Sequence, residues 1–125
     1  MGPPDPEAVE LAHRLFDFAR DGRLEDLVAY LDAGVPVGLT DASGNSLLML
    51  AAYHGHAAVV AALAQRGADV DQLNDRGQSP LAGAVFKGED SVVDTLLAAG
   101  ADPRVGSPSA AETAAFFGRE VPSTD

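Results

Sequence analysis

The strongest constraint in this sequence is a spacing of 33 residues that recurs along most of the chain. Three series of glycines follow this spacing: Gly44 and Gly77; Gly22, Gly55 and Gly88; Gly34, Gly67 and Gly100. Apolar positions keep the same step, as in Leu15, Leu48 and Leu81. One unit of this length cannot bury its apolar faces alone, so neighbouring units must stack and share a continuous core. The sequence therefore predicts a solenoid of repeated units.

Each period has the pattern of a helix, a turn, a second helix and a loop. Ser46 and Ser79 are suited to cap first helices, and Pro80 fits a first helical turn because its missing N–H is not needed there. Glycines of the second series lie where the chain must reverse, and those of the third lie where a second helix must end. Apolar periodicity predicts the second helices at about 56–65 and 89–98. The predicted fold class is all-α.

The two ends of the chain have the pattern of capping units, which a stack needs in order to present polar faces to water. The apolar stripe of the first helix consists of Ala8, Leu11, Leu15 and Phe18. Near the other end, Ser109 and Glu112 form a capping-box pattern that predicts a final helix. Only seven residues follow Gly118, so we expect the last unit to lack most of its second helix.

Composition agrees with one closely packed helical domain. The 125 residues include 23 alanines, seven aromatic residues and no tryptophan, so the core must consist of small and aliphatic side chains. The chain contains no cysteine, which excludes disulfides, thiol nucleophiles and cysteine-ligated metals.

The chain is strongly acidic, with 8 basic and 19 acidic residues and a net charge of −11. Such a surface repels phosphate backbones and anionic lipid headgroups, so we expect neither nucleic acid nor a membrane as a partner. A protein with a basic or mixed-polarity surface is the expected partner. The acidic, proline-rich start lacks the pattern of a secretory leader, which predicts a cytoplasmic location.

Two segments carry a resemblance to a known family. They are Asp41-Ala-Ser-Gly-Asn-Ser-Leu-Leu-Met-Leu-Ala-Ala-Tyr-His-Gly-His56 and Val59-Val-Ala-Ala-Leu-Ala-Gln-Arg-Gly-Ala-Asp-Val70. A second copy runs over 77–88 and continues through Val92-Val93 to Gly100-Ala-Asp102. These segments resemble the ankyrin repeat, and the ending of the chain resembles short stand-alone bacterial members of that family. The resemblance implies an ankyrin repeat solenoid of helix-turn-helix units with projecting loops and β-turns.

With that resemblance, residues 1–125 are expected to form a single domain of about four repeats. The expected units are an N-terminal capping repeat at 7–39, repeats at 40–72 and 73–105, and a truncated C-terminal capping repeat at 106–121, with flexible ends at 1–6 and 122–125. The family's Thr-Pro-Leu-His motif is replaced by Ser46-Leu-Leu-Met49 and Ser79-Pro-Leu-Ala82. The histidine that ties neighbouring loops in the family is therefore absent, which puts the rigidity of the loops in doubt.

Catalytic and metal-binding patterns are incomplete. A calcium loop starting at Asp69 would need an oxygen ligand at Leu73, a glycine at Asn74 and a glutamate at Pro80. The spacing of His54 and His56 does not suit a helical metal pair, and His56 is expected to form a local hydrogen bond. No phosphate loop, dinucleotide fingerprint or nucleophile elbow is present in the sequence. We therefore expect no catalytic activity, cofactor or metal.

The resemblance also implies a binding site, because ankyrin repeats usually contact partner proteins through loop tips and the exposed edge of the first helix of each pair. Carried over to this chain, the expected partner-binding residues are Arg20, Asp21, Thr40, Ala42, Ser43, Asn45, Tyr53, His54, Leu73, Asp75, Arg76, Gln78, Phe86, Lys87 and Phe116. Within this set, Arg20, Tyr53, Phe86 and Phe116 would form one row on the concave side. Such residues dominate interface hot spots. Alternatively, the aromatic rings only shield neighbouring helices, and Phe116 or Phe117 is buried in the cap.

The sequence thus favours a non-catalytic protein–protein interaction module that is a monomer when unbound. An inhibitor or immunity-type protein, or an accessory protein for a neighbouring enzyme, is compatible with the same residues. A less favoured alternative is an unrecognised enzyme or metal-dependent protein.

Overall fold

The computed structural model describes residues 5–119 and 121. These residues form seven α-helices and two isolated β-bridges, Thr40 with Ser46 and Gly106 with Ser109. The helices are α1 (Pro6–Asp21), α2 (Leu24–Asp32), α3 (Leu47–Tyr53), α4 (Ala57–Gln65), α5 (Pro80–Lys87), α6 (Asp90–Ala98) and α7 (Ala110–Phe116). The predicted all-α architecture is confirmed, and the two second helices α4 and α6 begin one residue later than predicted.

The helices stack in two rows. In the first row α1, α3, α5 and α7 each pack on the next, and in the second row α2, α4 and α6 do the same. Each of the first three pairs, α1 with α2, α3 with α4 and α5 with α6, also packs internally. Leu15, Leu48 and Leu81, which share the 33-residue spacing, are fully buried between the rows. The repeat in the sequence is therefore a repeat of core positions.

Serine side chains start the first helices, as predicted. The hydroxyls of Ser46, Ser79 and Ser109 each accept a hydrogen bond from the backbone N–H three residues later, at 3.0, 3.0 and 3.1 Å. The Glu112 carboxylate returns to the Ser109 N–H at 3.0 Å, which completes the predicted capping box. Each cap supplies a partner for a backbone donor that the helix itself leaves unpaired.

The first helix differs from its predicted stripe at one position. Leu15 is buried and Leu11 and Phe18 are half-buried, but Ala8 is exposed, whereas Phe16 and Ala19 contribute to the core. Because α1 has 16 residues and α3 only seven, the first turns of α1 extend beyond the helix that covers its remainder.

The same helix starts inside the segment predicted to be flexible. Asp5 caps α1 by accepting the Glu7 N–H at 2.9 Å, and Pro6 is the first helical residue. The rest of the predicted flexible ends, residues 1–4 and 122–125, lie outside the described residues, as does residue 120.

His56 joins two units rather than bonding locally. Its Nε2–H donates to the backbone carbonyl oxygen of Arg20 at 2.6 Å, and its ring lies over Gly22. Gly22 has φ +73°, and a Cβ at that position would lie 2.5 Å from the imidazole Nδ1. The expectation of a local hydrogen bond was wrong, because the absence of a side chain at Gly22 gives the imidazole access to the preceding unit.

A hydrogen bond between two asparagine side chains joins the loops of neighbouring units. Asn45 donates to Asp41 at 3.3 Å, and Asn74 donates to Asn45 at 2.8 Å and to Gln78 at 2.9 Å. The Asn74 side-chain oxygen also accepts the N–H groups of Arg76 and Gln78, both at 3.0 Å. We call the chain of contacts Asp41–Asn45–Asn74–Gln78 the amide ladder; it holds the two neighbouring loops together.

Candidate functional site

One face of the molecule is formed by the first-row helices and the loops that precede them. A largely apolar recess of about 370 Å³ lies on this face, between α3, α5 and α7. We call it the apolar groove; it is lined by Met49, Tyr53, Gln78, Ala82, Gly83, Phe86, Pro108, Glu112, Thr113, Phe116 and Phe117.

Aromatic rings form the exposed wall of the apolar groove. Phe86 is 58% exposed and Phe116 is 83% exposed, and Phe117 stands edge-on to both, with ring centroids 5.9 and 5.2 Å apart. Neither Phe116 nor Phe117 is buried in the cap, so the expectation that one of them is buried there was wrong. Exposed aromatic rings gathered in one place create an apolar patch of the kind that marks an interaction surface.

The floor of the apolar groove contains a glycine inside a helix. Gly83 lies in the middle of α5, where a Cβ would be 3.2 Å from Met49 Cε and 3.4 Å from Tyr53 Cδ2. Neither Gly83 nor Met49 was among the expected site residues. A sequence signal for Gly83 did exist, because this glycine falls outside the three series and within a predicted helix.

A second recess of about 330 Å³ adjoins the first. We call it the polar groove; it is lined by Arg20, Asp41, Ser43, Asn45, Met49, Leu50, Tyr53, His54, Asn74, Arg76 and Gln78. Met49, Tyr53 and Gln78 line both grooves, so the two recesses are neighbours on this face. The face therefore changes from polar to apolar along the direction in which the units stack.

Cationic groups surround the junction of the two grooves. The Lys87 ammonium lies 5.0 Å from the centroid of the Tyr53 ring, a cation–π contact. Partial burial lowers the pKa of His54, and the positive charges of His56, Arg20 and Lys87 lower it further, against the opposing effect of Asp21. Burial and the neighbouring cations thus both favour the neutral imidazole.

Carboxylates compensate part of this positive charge. The Arg20 guanidinium pairs with Asp17 at 2.9 Å and lies 3.9 Å from Asp41. The Asp41 carboxylate in turn accepts the N–H groups of Ser43 and Asn45, both at 2.9 Å. Arg20 is thus held in place by acidic neighbours, whereas Arg76 and Lys87 form no ion pair among the described residues.

The structure brings most of the expected site residues to the two grooves. The polar groove contains Arg20, Ser43, Asn45, Tyr53, His54, Arg76 and Gln78, and the apolar groove adds Phe86 and Phe116. Ala42 lies with Ser43 and Arg20 in a shallower recess beside α1. The groove linings do not include Asp21, Thr40, Leu73, Asp75 and Lys87, although Lys87 reaches the Tyr53 ring.

Acidic and histidine side chains do not converge on a metal site in the part of the chain that the structure describes. In the segment that begins at Asp69, whose sequence matches a calcium loop only in part, Asp69 accepts the Asp71 N–H at 3.0 Å, and Asp71 accepts the Asp102 N–H at 2.8 Å. These carboxylates stabilise loops through backbone hydrogen bonds. Within residues 5–119, no helix has the length and hydropathy needed to cross a membrane.

Comparison with known proteins agrees with this geometry. The family model for ankyrin repeats (3 copies) matches residues 15–106. An ankyrin repeat-containing protein of Treponema pallidum is 44% identical over 86 residues, which are 68% of this chain and 29% of that protein. An ankyrin repeat protein of Pseudomonas aeruginosa is 50% identical over 56 residues, 45% of this chain and 33% of that protein.

Among solved structures, the human ASB11 ankyrin repeat domain matches with a TM-score of 0.68 and 35% sequence identity, over 71% of this chain and 40% of that one. The matched regions thus span about a third of the two bacterial relatives. The family model covers most of the chain and agrees with the stacked helix pairs, the serine caps and the 33-residue period. The chain belongs to the ankyrin repeat family.

Proposed function

We propose that this protein is a non-catalytic protein-binding module whose partner docks along the neighbouring apolar and polar grooves. The observation that carries the proposal is that the two grooves share Tyr53 and Gln78, with exposed Phe86 and Phe116 at the apolar end. Ankyrin repeats are generally protein–protein interaction modules, which agrees with this proposal.

Burial of the exposed aromatic rings would favour docking of a partner. A large aromatic side chain exposed to water forgoes its burial free energy, about 1.5 to 3 kcal/mol for a phenylalanine. A partner that covered Phe86 and Phe116 would recover part of it, and the polar groove would provide hydrogen bonds at the rim. The amide ladder supports this face by tying the loops that border it.

We further propose the binding residues, the partner's surface, the oligomeric state, the location and the repeat units that the sequence suggests. The partner-binding set is the one expected above, with Tyr53 and Phe86 at its centre, and the partner has a basic or mixed-polarity surface. The unbound protein is a monomer and acts in the cytoplasm. The units 7–39, 40–72, 73–105 and 106–121 are the repeats that present the face.

An affinity capture from lysate of the source organism tests the proposal. The wild-type protein and the double variant Tyr53→Ala/Phe86→Ala are compared after circular dichroism shows that both fold. A matched control is Val9→Ala, since Val9 is 38% exposed on α1 and lies outside the grooves. We expect a prey protein that wild type and Val9→Ala retain and the double variant loses. Equal retention by all three would move the site to the loop tips and contradict the proposal.

A further inference from the structure

The apolar groove owes part of its depth to Gly83. A glycine inside a helix costs about 1 kcal/mol relative to alanine, because its backbone is freer in the unfolded chain. Gly83 has no positive φ and closes no turn, so the backbone does not require glycine there. Gly83 is buried and lines the groove, and its lack of a side chain lets Met49 and Tyr53 of the neighbouring helix lie close to it. The helix thus sacrifices stability at a position where an added methyl group would displace Met49 and narrow the recess.

The shape of this space suits a large apolar side chain. The floor consists of Ala82 and Gly83, and the walls carry the rings of Tyr53, Phe86 and Phe116. Aromatic walls favour an aromatic or branched aliphatic group, since such groups bury a large area and make edge-to-face contacts with rings. A partner residue seated on Gly83 would touch α3, α5 and α7 together.

The charges at the two ends of the groove differ. At the Tyr53 end, the Lys87 ammonium lies over the ring, and Arg76 lines the adjoining polar groove. Both cations lack an ion pair among the described residues. At the opposite end, Glu112 is the charged residue of the lining, and its carboxylate is engaged with the Ser109 N–H. Partial burial lowers the pKa of the nearby His54, with smaller contributions from neighbouring cations and an opposing effect of Asp21.

We propose that the docking segment of the partner is an acidic peptide: a bulky apolar side chain seated on Gly83, with a carboxylate close to it in sequence that pairs with Lys87 and lies towards Arg76. This inference rests on the proposed function and specifies its partner. The net charge of −11 would by itself favour a basic docking segment. Lys87 and Arg76, which lie near Tyr53, instead favour an acidic segment at this place on the surface.

Two peptide libraries displayed on phage test the inference with the full-length protein as bait. Each library contains ten-residue peptides with a central position restricted to Leu, Ile, Phe or Trp. In one library the neighbouring positions are restricted to Asp and Glu, and in the other to Lys and Arg, with the remaining positions random. The dissociation constants of enriched peptides are then measured by fluorescence polarisation against wild type and variants.

We expect enrichment of the acidic library alone. Charge reversal in Lys87→Glu should weaken binding of those peptides about tenfold, since it replaces an attractive contact with a repulsive one. Arg14→Glu is the matched control, because it makes the same change in net charge at an exposed position of α1 outside both grooves. Its dissociation constant should stay within about twofold of wild type.

Two substitutions probe the floor. Gly83→Ala should raise the thermal midpoint and weaken the enriched peptides about threefold, because the methyl group improves the helix and occupies the recess. Met49 Cε, 3.2 Å from the added carbon, is the end of a flexible side chain that can shift. Gly83→Leu should abolish binding, with circular dichroism as the check on folding; if it does not fold, Gly83→Ala decides.

The contrary outcomes are distinct. Enrichment of the basic library would overturn the acidic assignment and leave the proposed function standing, as would enrichment of neither library while lysate capture still depends on Tyr53 and Phe86. Unchanged affinity in Lys87→Glu or Gly83→Ala would overturn the part assigned to that residue. Equal binding of the acidic peptides to Tyr53→Ala/Phe86→Ala would overturn both proposals. Concentration-dependent dimerisation that Gly83→Leu removes would make a second copy the occupant and would also overturn the inference.

Discussion

The imidazole of His56 donates a hydrogen bond to the backbone carbonyl oxygen of Arg20, which lies 36 residues earlier in the chain. One period later, Glu89 lies over the glycine of the preceding unit in the same way. At the last step, Arg119 donates to the Val85 carbonyl oxygen at 2.8 Å. Three different side chains therefore lie at the corresponding junctions between successive units, and those of His56 and Arg119 form a hydrogen bond across the junction.

Replacing His56 should destabilise the protein. His56→Ala removes the hydrogen bond to Arg20 and the contact with Gly22, for an expected loss of about 1 to 2 kcal/mol in the free energy of unfolding. Urea unfolding followed by circular dichroism measures this loss. His13→Ala is the control, because His13 is exposed on α1, and it should change the free energy by less than about 0.5 kcal/mol. Equal effects of the two variants would show that the Arg20 contact contributes nothing.

The close approach of His56 to Gly22 gives a second prediction. Gly22→Ala should cost more than Gly77→Ala, because the two glycines have φ of 73° and 74° but only Gly22 has a neighbour within 4 Å. Backbone strain alone accounts for about 1 kcal/mol at each site. In the His56→Ala background, the excess cost of Gly22→Ala should disappear. A double-mutant cycle by urea unfolding measures the coupling, and an excess that persists without the imidazole would contradict the steric explanation.

The amide ladder should contribute to the stability of the loops. Asn74→Ala leaves the N–H groups of Arg76 and Gln78 without their acceptor and breaks the bond to Asn45, for an expected loss of about 1 to 2 kcal/mol. Asn74→Asp keeps the acceptor for both N–H groups but places a carboxylate oxygen against the acceptor oxygens of Asn45 and Gln78, so it should protect the two amides without restoring the bond between the loops. Hydrogen exchange at the Arg76 and Gln78 amides reads out the effect. Unchanged exchange in Asn74→Ala would show that the ladder does not hold the loops.

An ion pair between the second helices predicts a dependence on pH. The hydrogen bond from Arg66 to Asp32, at 2.9 Å, lowers the pKa of the Asp32 carboxyl below its usual value. The unfolded chain then binds a proton at Asp32 at a higher pH than the native protein does. This contribution to stability is therefore present above about pH 4 and is lost as the pH falls through the native pKa.

The test of the ion pair is an NMR titration of the Asp32 carboxyl carbon in wild type and in Arg66→Gln. We expect the pKa to return towards its usual value in the variant, together with a weaker loss of stability in acid. Arg104→Gln serves as the comparison, since the pKa of Asp102 is lowered first by the Arg104 backbone N–H, which this variant keeps, so the pKa of Asp102 should change less than that of Asp32. A pKa of Asp32 that is unchanged by Arg66→Gln would contradict the assigned cause.

Local patterns were the predictable part of the fold. Ser46, Ser79 and Ser109 could be identified as caps because each bonds to a backbone N–H three residues away. The partners of His56 and Asn74 lie 36 and 29 residues away, so their contacts depend on how the units stack. For that reason the sequence alone predicts a local bond for His56 and does not predict the hydrogen bond between Asn74 and Asn45. Both features are consequences of packing between units, which a single unit's sequence does not specify.

Some residues of the candidate site could also be predicted from the sequence, and others could not. Tyr53, Phe86 and Phe116 are first-helix edge residues whose positions follow from the resemblance and the repeat register, and all three line the apolar groove. The role of Gly83 in the groove depends on its close approach to Met49 and Tyr53 on the neighbouring helix, which the sequence does not specify. The contact of Phe117 with Phe86 likewise depends on how the final helix packs against α5. The sequence therefore predicts which side chains lie on this face, whereas the depth and polarity of the recess follow only from the packing of the helices.

The final helix gives the face an uneven mechanical character. Helices α3 and α5 are each backed by a second helix of their own unit, whereas among the described residues α7 is backed by none. A helix that is not backed by a second helix makes fewer packing contacts and opens locally at a lower cost in free energy. Of the helices that border the apolar groove, α7 is therefore the least supported. Any molecule that fills the groove becomes thermodynamically linked to local opening of α7, and occupancy lowers the population of the open state.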